Sequence, residues 1–218
     1  MKDTKMIAGE TDISSGEASF YIHIPFCVSK CAYCDFFSIP VDSEREKARM
    51  FDDYLEALCY DIERQIGYFN IKTRSSLYVG GGTPSLLGGR RIEKLLSFLK
   101  RALPEGGKEN VRPEITVEAN SESLSEEFIA ACVGSGVSRL SVGVQSLNDR
   151  SRDAIGRKGS SVFIKRNLDL LKNIQHYAGQ AFDISFDLIS GLPYQNKTML
   201  LNDIETMLLY NPAHISLY

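Results

Sequence analysis

No apolar run in this chain of 218 residues approaches the length of a membrane span, so a bilayer-crossing helix is not expected. There is no basic run either. Twenty-five Lys and Arg stand against 28 Asp and Glu, for a net charge of −3, and no nucleic-acid partner is expected. Residues 1–10 contain no apolar core of the signal-peptide kind. A cytoplasmic location is the expectation, where thiols meet reducing conditions and stay available to a metal. Cysteine is sparse, at five residues, and a second Cys-x-x-Cys knuckle is missing, so the paired knuckles common in structural zinc modules are not there. What remains is ordinary for a soluble globular chain: 43% hydrophobic and 24% charged residues, enough for one large domain or two small ones.

Three of the five cysteines lie in one stretch, Tyr21-Ile-His-Ile-Pro25-Phe-Cys27-Val-Ser-Lys-Cys31-Ala-Tyr33-Cys34-Asp-Phe36, on a loop after a short apolar strand. Three thiolates packed this closely repel one another unless a metal neutralises them. A [4Fe–4S] cube needs four ligands, so three cysteines leave one iron open. Zinc is the alternative, with His23 or Asp35 as fourth ligand. A disulfide would strand the third thiol. Cys59 and Cys132 sit in helical segments among apolar neighbours and read as buried structural thiols. His23 reads as a packed residue with a satisfied ring nitrogen, His176 as solvated near a helix end, and His214 opens the last strand without a visible partner.

Residues 1–19 are polar and aperiodic and read as a loose extension. Beyond the first strand, five short apolar segments read as strands: 77–80, 114–119, 139–144, 183–188 and 214–218. Between them lie helical periods. Phe51, Tyr54, Leu55, Leu58 and Ile62 define one face, and Ile92, Leu95, Leu96 and Leu99 another. Ser123 and Glu126 read as a capping box, with Gly134 and Gly136 near the end of the helix that follows. Two more helices are expected over 162–174 and 199–209. Six strands alternating with five helices imply α/β architecture with parallel units, short of the about 250 residues of a full eightfold barrel.

In such barrels the chemistry gathers at the C-terminal ends of the strands. Gly80-Gly-Gly-Thr83-Pro84 follows the second strand and is neither a P-loop nor a dinucleotide fingerprint. It is either a tight turn or a place where a ligand closely approaches backbone. Glu118, Gln145 and Asp187 stand at or just beyond the ends of three successive strands, and Arg157 offers a fork suited to a carboxylate. Each alone reads as a surface or loop polar group, but together at one end they suggest a site.

The spacing Cys-x-x-x-Cys-x-x-Cys resembles that of the radical S-adenosylmethionine (SAM) enzymes, and Tyr-Ile-His-Ile-Pro-Phe-Cys is similar to the branch holding oxygen-independent coproporphyrinogen oxidase and its heme-chaperone relatives. The resemblance covers residues 20–218 and implies an open six-strand partial barrel, a radical-SAM core truncated after its sixth strand, with the family's C-terminal domain absent. It implies a [4Fe–4S] cluster on Cys27, Cys31 and Cys34, and SAM contacts on Tyr21, Tyr33, Gly81, Gly82, Thr83, Glu118, Gln145, Arg157 and Asp187. The implied chemistry is reductive cleavage of SAM, and no catalytic side chain is assigned. Three departures stand out: Phe36 where the oxidase branch has a further cysteine, Gly159 for a frequent histidine, and Ser190 for a common tyrosine. Phe36 favours a heme chaperone, with heme as cargo, a reductant protein of flavodoxin or ferredoxin type, a membrane heme protein as recipient, and association between copies allowed by the open edge of the last strand. The chaperones' heme motif belongs to the family's later portion, so weak heme binding by residues 1–218 is expected. Coproporphyrinogen III oxidase is the first alternative and a zinc-binding structural protein the second.

Overall fold

A computed structural model describes residues 16–41, 44–106, 113–177 and 182–218. Six strands, β1 (Glu17–Ile24), β4 (Thr73–Gly81), β5 (Glu114–Asn120), β6 (Arg139–Gln145), β7 (Asp183–Leu188) and β8 (His214–Leu217), form one sheet in chain order. Every pairing is parallel. Parallel neighbours need a crossover, and the helices supply it: α1 (Glu44–Tyr68), α2 (Gly88–Ala102), α3 (Glu126–Gly134), α4 (Asp149–Ala154), α5 (Ser161–Tyr177) and α6 (Lys197–Leu208). A two-stranded ladder, β2 (Phe26–Cys27) with β3 (Ile39–Pro40), closes the cysteine loop.

The strands carry different chemistry on their two faces, because successive side chains point to opposite sides. Val117, Ala119, Leu140, Val142, Val144, Ile184, Phe186 and Leu188 are buried in the core. In the same core lie Ile92, Leu95, Leu96 and Leu99 of α2, Phe128 and Ile129 of α3, and Leu168 of α5. Burying each such side chain contributes about 1.5–3 kcal/mol. The alternate positions, Tyr78, Glu118, Ser141, Ser185, Asp187 and Ser216, line a cavity on the other face. Helices therefore seal the apolar side, and the concave side is left polar and open to a ligand. This is the parallel α/β architecture that the strand and helix pattern implies, and the partial barrel that the family resemblance implies.

All six expected strands are present, as are the five expected helices. The short α4 is an addition. Residues 17–19, expected in a loose extension, instead open β1 against β4 (Glu17 opposite Thr73), because the backbone of Thr73–Ser76 offers them a ladder. The rest of that extension, residues 1–15, and the side chain of His176 fall outside the described residues. The expected capping box is displaced by two positions. Ser125 caps α3 by accepting from Phe128 N, while the Ser123 hydroxyl is engaged with Ser85 Oγ and Asn120 O. Ser125→Ala should cost about 1 kcal/mol, read as a lower urea midpoint, whereas Ser123→Ala should leave the cap intact.

Cys132 is fully buried in α3, and burial pushes its thiol up to about 12. Cys59 is half-buried in α1 and its thiol is also raised, mainly by burial. Among the described residues no helix is long and apolar enough to cross a membrane.

Candidate functional site

The cysteine loop is tied down on every side. Ile39 N donates to Pro25 O (2.6 Å) and Val41 N to Cys27 O (2.9 Å), which makes the base of the loop a ladder rather than a free hinge. Cys34 N donates to Cys31 O (3.1 Å), a tight turn that sets the second and third thiols close in space. Lys30 Nζ holds Phe36 O (2.8 Å) and His23 Nε2 holds Phe37 O (3.0 Å). That bond makes Nε2 the protonated ring nitrogen, and Nδ1 pairs with the Tyr21 hydroxyl at 3.1 Å. On the far side, Ala32 N donates to Ile155 O (3.0 Å) and Ser29 Oγ to Gly156 O (3.3 Å), docking the loop against the turn after α4.

The three thiols are half-buried and line one cavity of about 980 Å³ at the C-terminal ends of the strands. Among the described residues no three His, Cys, Asp or Glu side chains are gathered tightly enough for a single metal ion. Three soft sulfur donors lining one cavity are the ligand type of an iron–sulfur group.

The glycine turn presses against this loop. A Cβ on Gly82 would stand 2.6 Å from Phe26 O, and one on Gly81, whose φ is +114°, 2.6 Å from His23 Nδ1. Only glycine allows this approach. Thr83 then lies between two parts of the site: its Oγ1 accepts from Asn120 Nδ2 (2.9 Å) and is 3.5 Å from Cys27 Sγ.

Glu118 faces the same space. Tyr78 Oη donates to its Oε1 (2.6 Å) and Gly81 N to its Oε2 (3.0 Å). Burial raises its pKa, and those two bonds only partly offset that. A carboxyl whose folded pKa lies above its unfolded one stabilises the fold below the unfolded value, and that contribution is lost as pH rises through the folded value. The advantage of the parent over Glu118→Gln in urea denaturation should therefore shrink between pH 4 and pH 7. An advantage that grows with pH would mean the carboxylate is better solvated than its surroundings suggest.

Gln145 ends β6 in the left-handed region (φ +69°), at a register shift that turns its side chain into the cavity. Asp187 Oδ2 accepts from Ser141 Oγ (3.2 Å). Arg157, only 7% exposed, donates through Nη2 to Gly143 O (2.7 Å). Burial alone would lower its pKa, but Glu122 first, then Tyr33 and Cys31, keep it above the ordinary value. Burial also pushes the Tyr33 phenol up to about 12.

The cavity thus brings together Cys27, Cys31, Cys34, Tyr33, Gly81, Gly82, Thr83, Glu118, Gln145, Arg157 and Asp187. Tyr21 is not among its lining residues. It is 58% exposed and lies against Tyr78, ring centroids 5.9 Å apart. The cavity also has Tyr78, Asn120, Glu122, Arg139, Ser141 and Ser185 in its wall, none of which the sequence reading singled out. For the residues on β5, β6 and β7 the signal was there, since polar side chains recur at alternate positions, Gly143 aside.

A parallel half-barrel whose strand ends share one cavity with a three-cysteine loop defines a class. Residues 21–207 match the radical SAM superfamily, and the chain belongs to it. Within that superfamily it is similar to proteins named HemW and HemN. It is 34% identical over 200 residues to "Heme chaperone HemW" of Escherichia coli (92% of this chain, 50% of that protein). It is 36% identical to that of Lactococcus lactis (92% and 48%). Among solved structures, the radical SAM enzyme coproporphyrinogen III oxidase (HemN) of E. coli superposes with a TM-score of 0.78 at 26% identity, covering 96% of this chain and 47% of that one. The chain spans about half the length of the curated relatives it matches.

Proposed function

We propose that this chain is the cluster- and SAM-binding core of a heme chaperone. The observation that carries the reading is that one cavity holds both the three thiols and a buried arginine. Cys27, Cys31 and Cys34 would ligate a [4Fe–4S] cluster, since their thiols already line one space and leave a fourth position open. Cluster and SAM together supply reductive cleavage of SAM. The chain's own residues bind and orient. Arg157 presents a cation to the methionine carboxylate, and the backbone of Gly81–Thr83 lies open to its amino group. Glu118, Gln145 and Asp187 offer acceptors and a donor for ribose hydroxyls, and Tyr33 an aromatic face for the adenine. Tyr21 would act from outside the lining, by supporting Tyr78 and His23.

Two features support a chaperone over a decarboxylase. Phe36, 69% exposed, stands where the oxidase branch has its further cysteine. The relatives at 34% and 36% identity are named heme chaperones, whereas HemN shares 26%. In this reading heme is cargo, a flavodoxin- or ferredoxin-type protein is the reductant, the recipient is a membrane heme protein, and the protein works in the cytoplasm, where copies can associate.

The test is anaerobic. Reconstituted protein with SAM, reductant and coproporphyrinogen III should give no decarboxylated product, and heme should produce a weak, saturable absorbance change. Turnover of the porphyrinogen would overturn the chaperone reading. No spectral response at any heme concentration would remove heme as cargo of this core.

A further inference from the structure

We propose that Glu122 is the positioning residue that aims Arg157 into the cavity. This rests on the reading that Arg157 meets the carboxylate of SAM. Glu122 stands in the loop after β5, two residues beyond Asn120, and no ligand contact is needed to explain its placement. Its single oxygen Oε1 meets two guanidinium groups: Nη2 of Arg152, and Nε of Arg157 at 2.7 Å.

The two arginines differ in what else they do. Arg152 is fully buried, and its remaining donors go to four backbone carbonyls, those of Val144 (2.7 Å), Ser146 (3.0 Å), Lys158 (2.6 Å) and Gly159 (3.1 Å). It clamps both ends of the segment between β6 and α5, the segment that carries Arg157, and is fully engaged there. Arg157 is tethered more loosely. Nη2 is fixed on Gly143 O, while Nε lies within ion-pair distance of Glu122 but off the line of a hydrogen bond. A guanidinium held by one carbonyl, by Glu122 and by the neighbouring Cys31 side chain keeps its orientation and still has donors to spare.

Charge points the same way. Two buried guanidinium groups share the Glu122 carboxylate, and the other acid acting on Arg152, Asp149, is exposed and hydrogen-bonded to Ser161. One carboxylate therefore does not balance the two guanidinium groups, and Arg157, which also feels Tyr33 and Cys31, is the one of the pair that faces the cavity.

The foothold of Glu122 is rigid. Ser121 Oγ donates to Gly143 O (3.1 Å), and Asn167 Nδ2 donates to Ser121 O (2.9 Å). On the other side a Cβ at Gly159, whose φ is +83°, would stand 3.0 Å from Glu122 Cγ. A side chain at Gly159 would therefore crowd the stem of Glu122.

The measurement is SAM affinity by calorimetry on the reconstituted protein, with iron content and melting temperature recorded for each variant. Glu122→Asp keeps the charge but withdraws the oxygen, so the arginines stay paired and Arg157 loses its aim. Affinity should fall about tenfold. Glu122→Gln keeps an oxygen in place but removes the charge that holds Nε, and affinity should fall at least as far. In an Arg157→Ala background, Glu122→Asp should change nothing further. Equal losses from Glu122→Asp in both backgrounds, or a Gln variant that binds like the parent, would overturn the positioning role. If Arg157→Ala weakens SAM and Glu122→Asp does not, Glu122 alone is wrong. If Arg157→Ala itself binds like the parent, the reading of Arg157 falls and takes the proposal with it.

Discussion

Alanine at any one of Cys27, Cys31 or Cys34 is expected to strip the anaerobically reconstituted protein of most of its iron and sulfide, while Cys59→Ala and Cys132→Ala keep both. The contrast follows from where the thiols are. The first three line the cavity on a loop whose base is a β-ladder, so none can swing in to replace another. Cys132 is sealed in α3 with its thiol held protonated by burial, and a protonated buried thiol is not a ligand. Cys59 packs against the core on α1. Removing one of three thiolates from a cube already short of a fourth protein ligand leaves two irons without protein ligands. Iron and sulfide analysis reads the result. Zinc in the parent, or undiminished iron in all three variants, would contradict it.

Arg157→Ala should weaken SAM binding by about 2–5 kcal/mol, the range for truncating one partner of a buried charge pair. The upper part of the range is expected, because Arg157 is 7% exposed and its field is little screened by solvent. The loss also removes one donor from Gly143 O, which accepts from Arg157 at 2.7 Å and keeps Ser121 N and Oγ, so a small part of the effect is structural. Arg157→Lys separates the parts: it keeps a cation but not the fork, and should recover only a fraction of the affinity. Equal affinity in parent and Ala variant would place the carboxylate partner elsewhere.

The cluster loop was legible because its signal is local. Three cysteines within eight positions need no tertiary knowledge, and the same holds for the glycine turn. Strand positions were legible because apolar residues mark the face packed on the helices. Their polar partners at alternate positions were read only at the strand ends, so Tyr78, Ser141 and Ser185 went unnoticed although the same period carries them. The Arg152–Glu122–Arg157 cluster was illegible for another reason. Its members are separated by up to 35 positions (Glu122 to Arg157) and meet only once β5 and β6 lie side by side. Nothing in Asp149–Arg157 betrays that one arginine holds backbone and the other faces a cavity. The displaced cap of α3 has the same origin: Ser123 and Ser125 both fit the local pattern, and Ser85, thirty-eight residues before Ser123, settles which of them is left free to cap.

The most direct measurement asks whether cluster and SAM share one cavity. Reduced, reconstituted protein is examined by electron paramagnetic resonance before and after SAM is added, in parallel with a calorimetric titration. The expected result is a change in the cluster signal that saturates with the same midpoint as the heat, and that needs proportionally more SAM in Arg157→Ala. Saturating heat with an unchanged cluster signal would show that SAM binds away from Cys27, Cys31 and Cys34, and would contradict the single site.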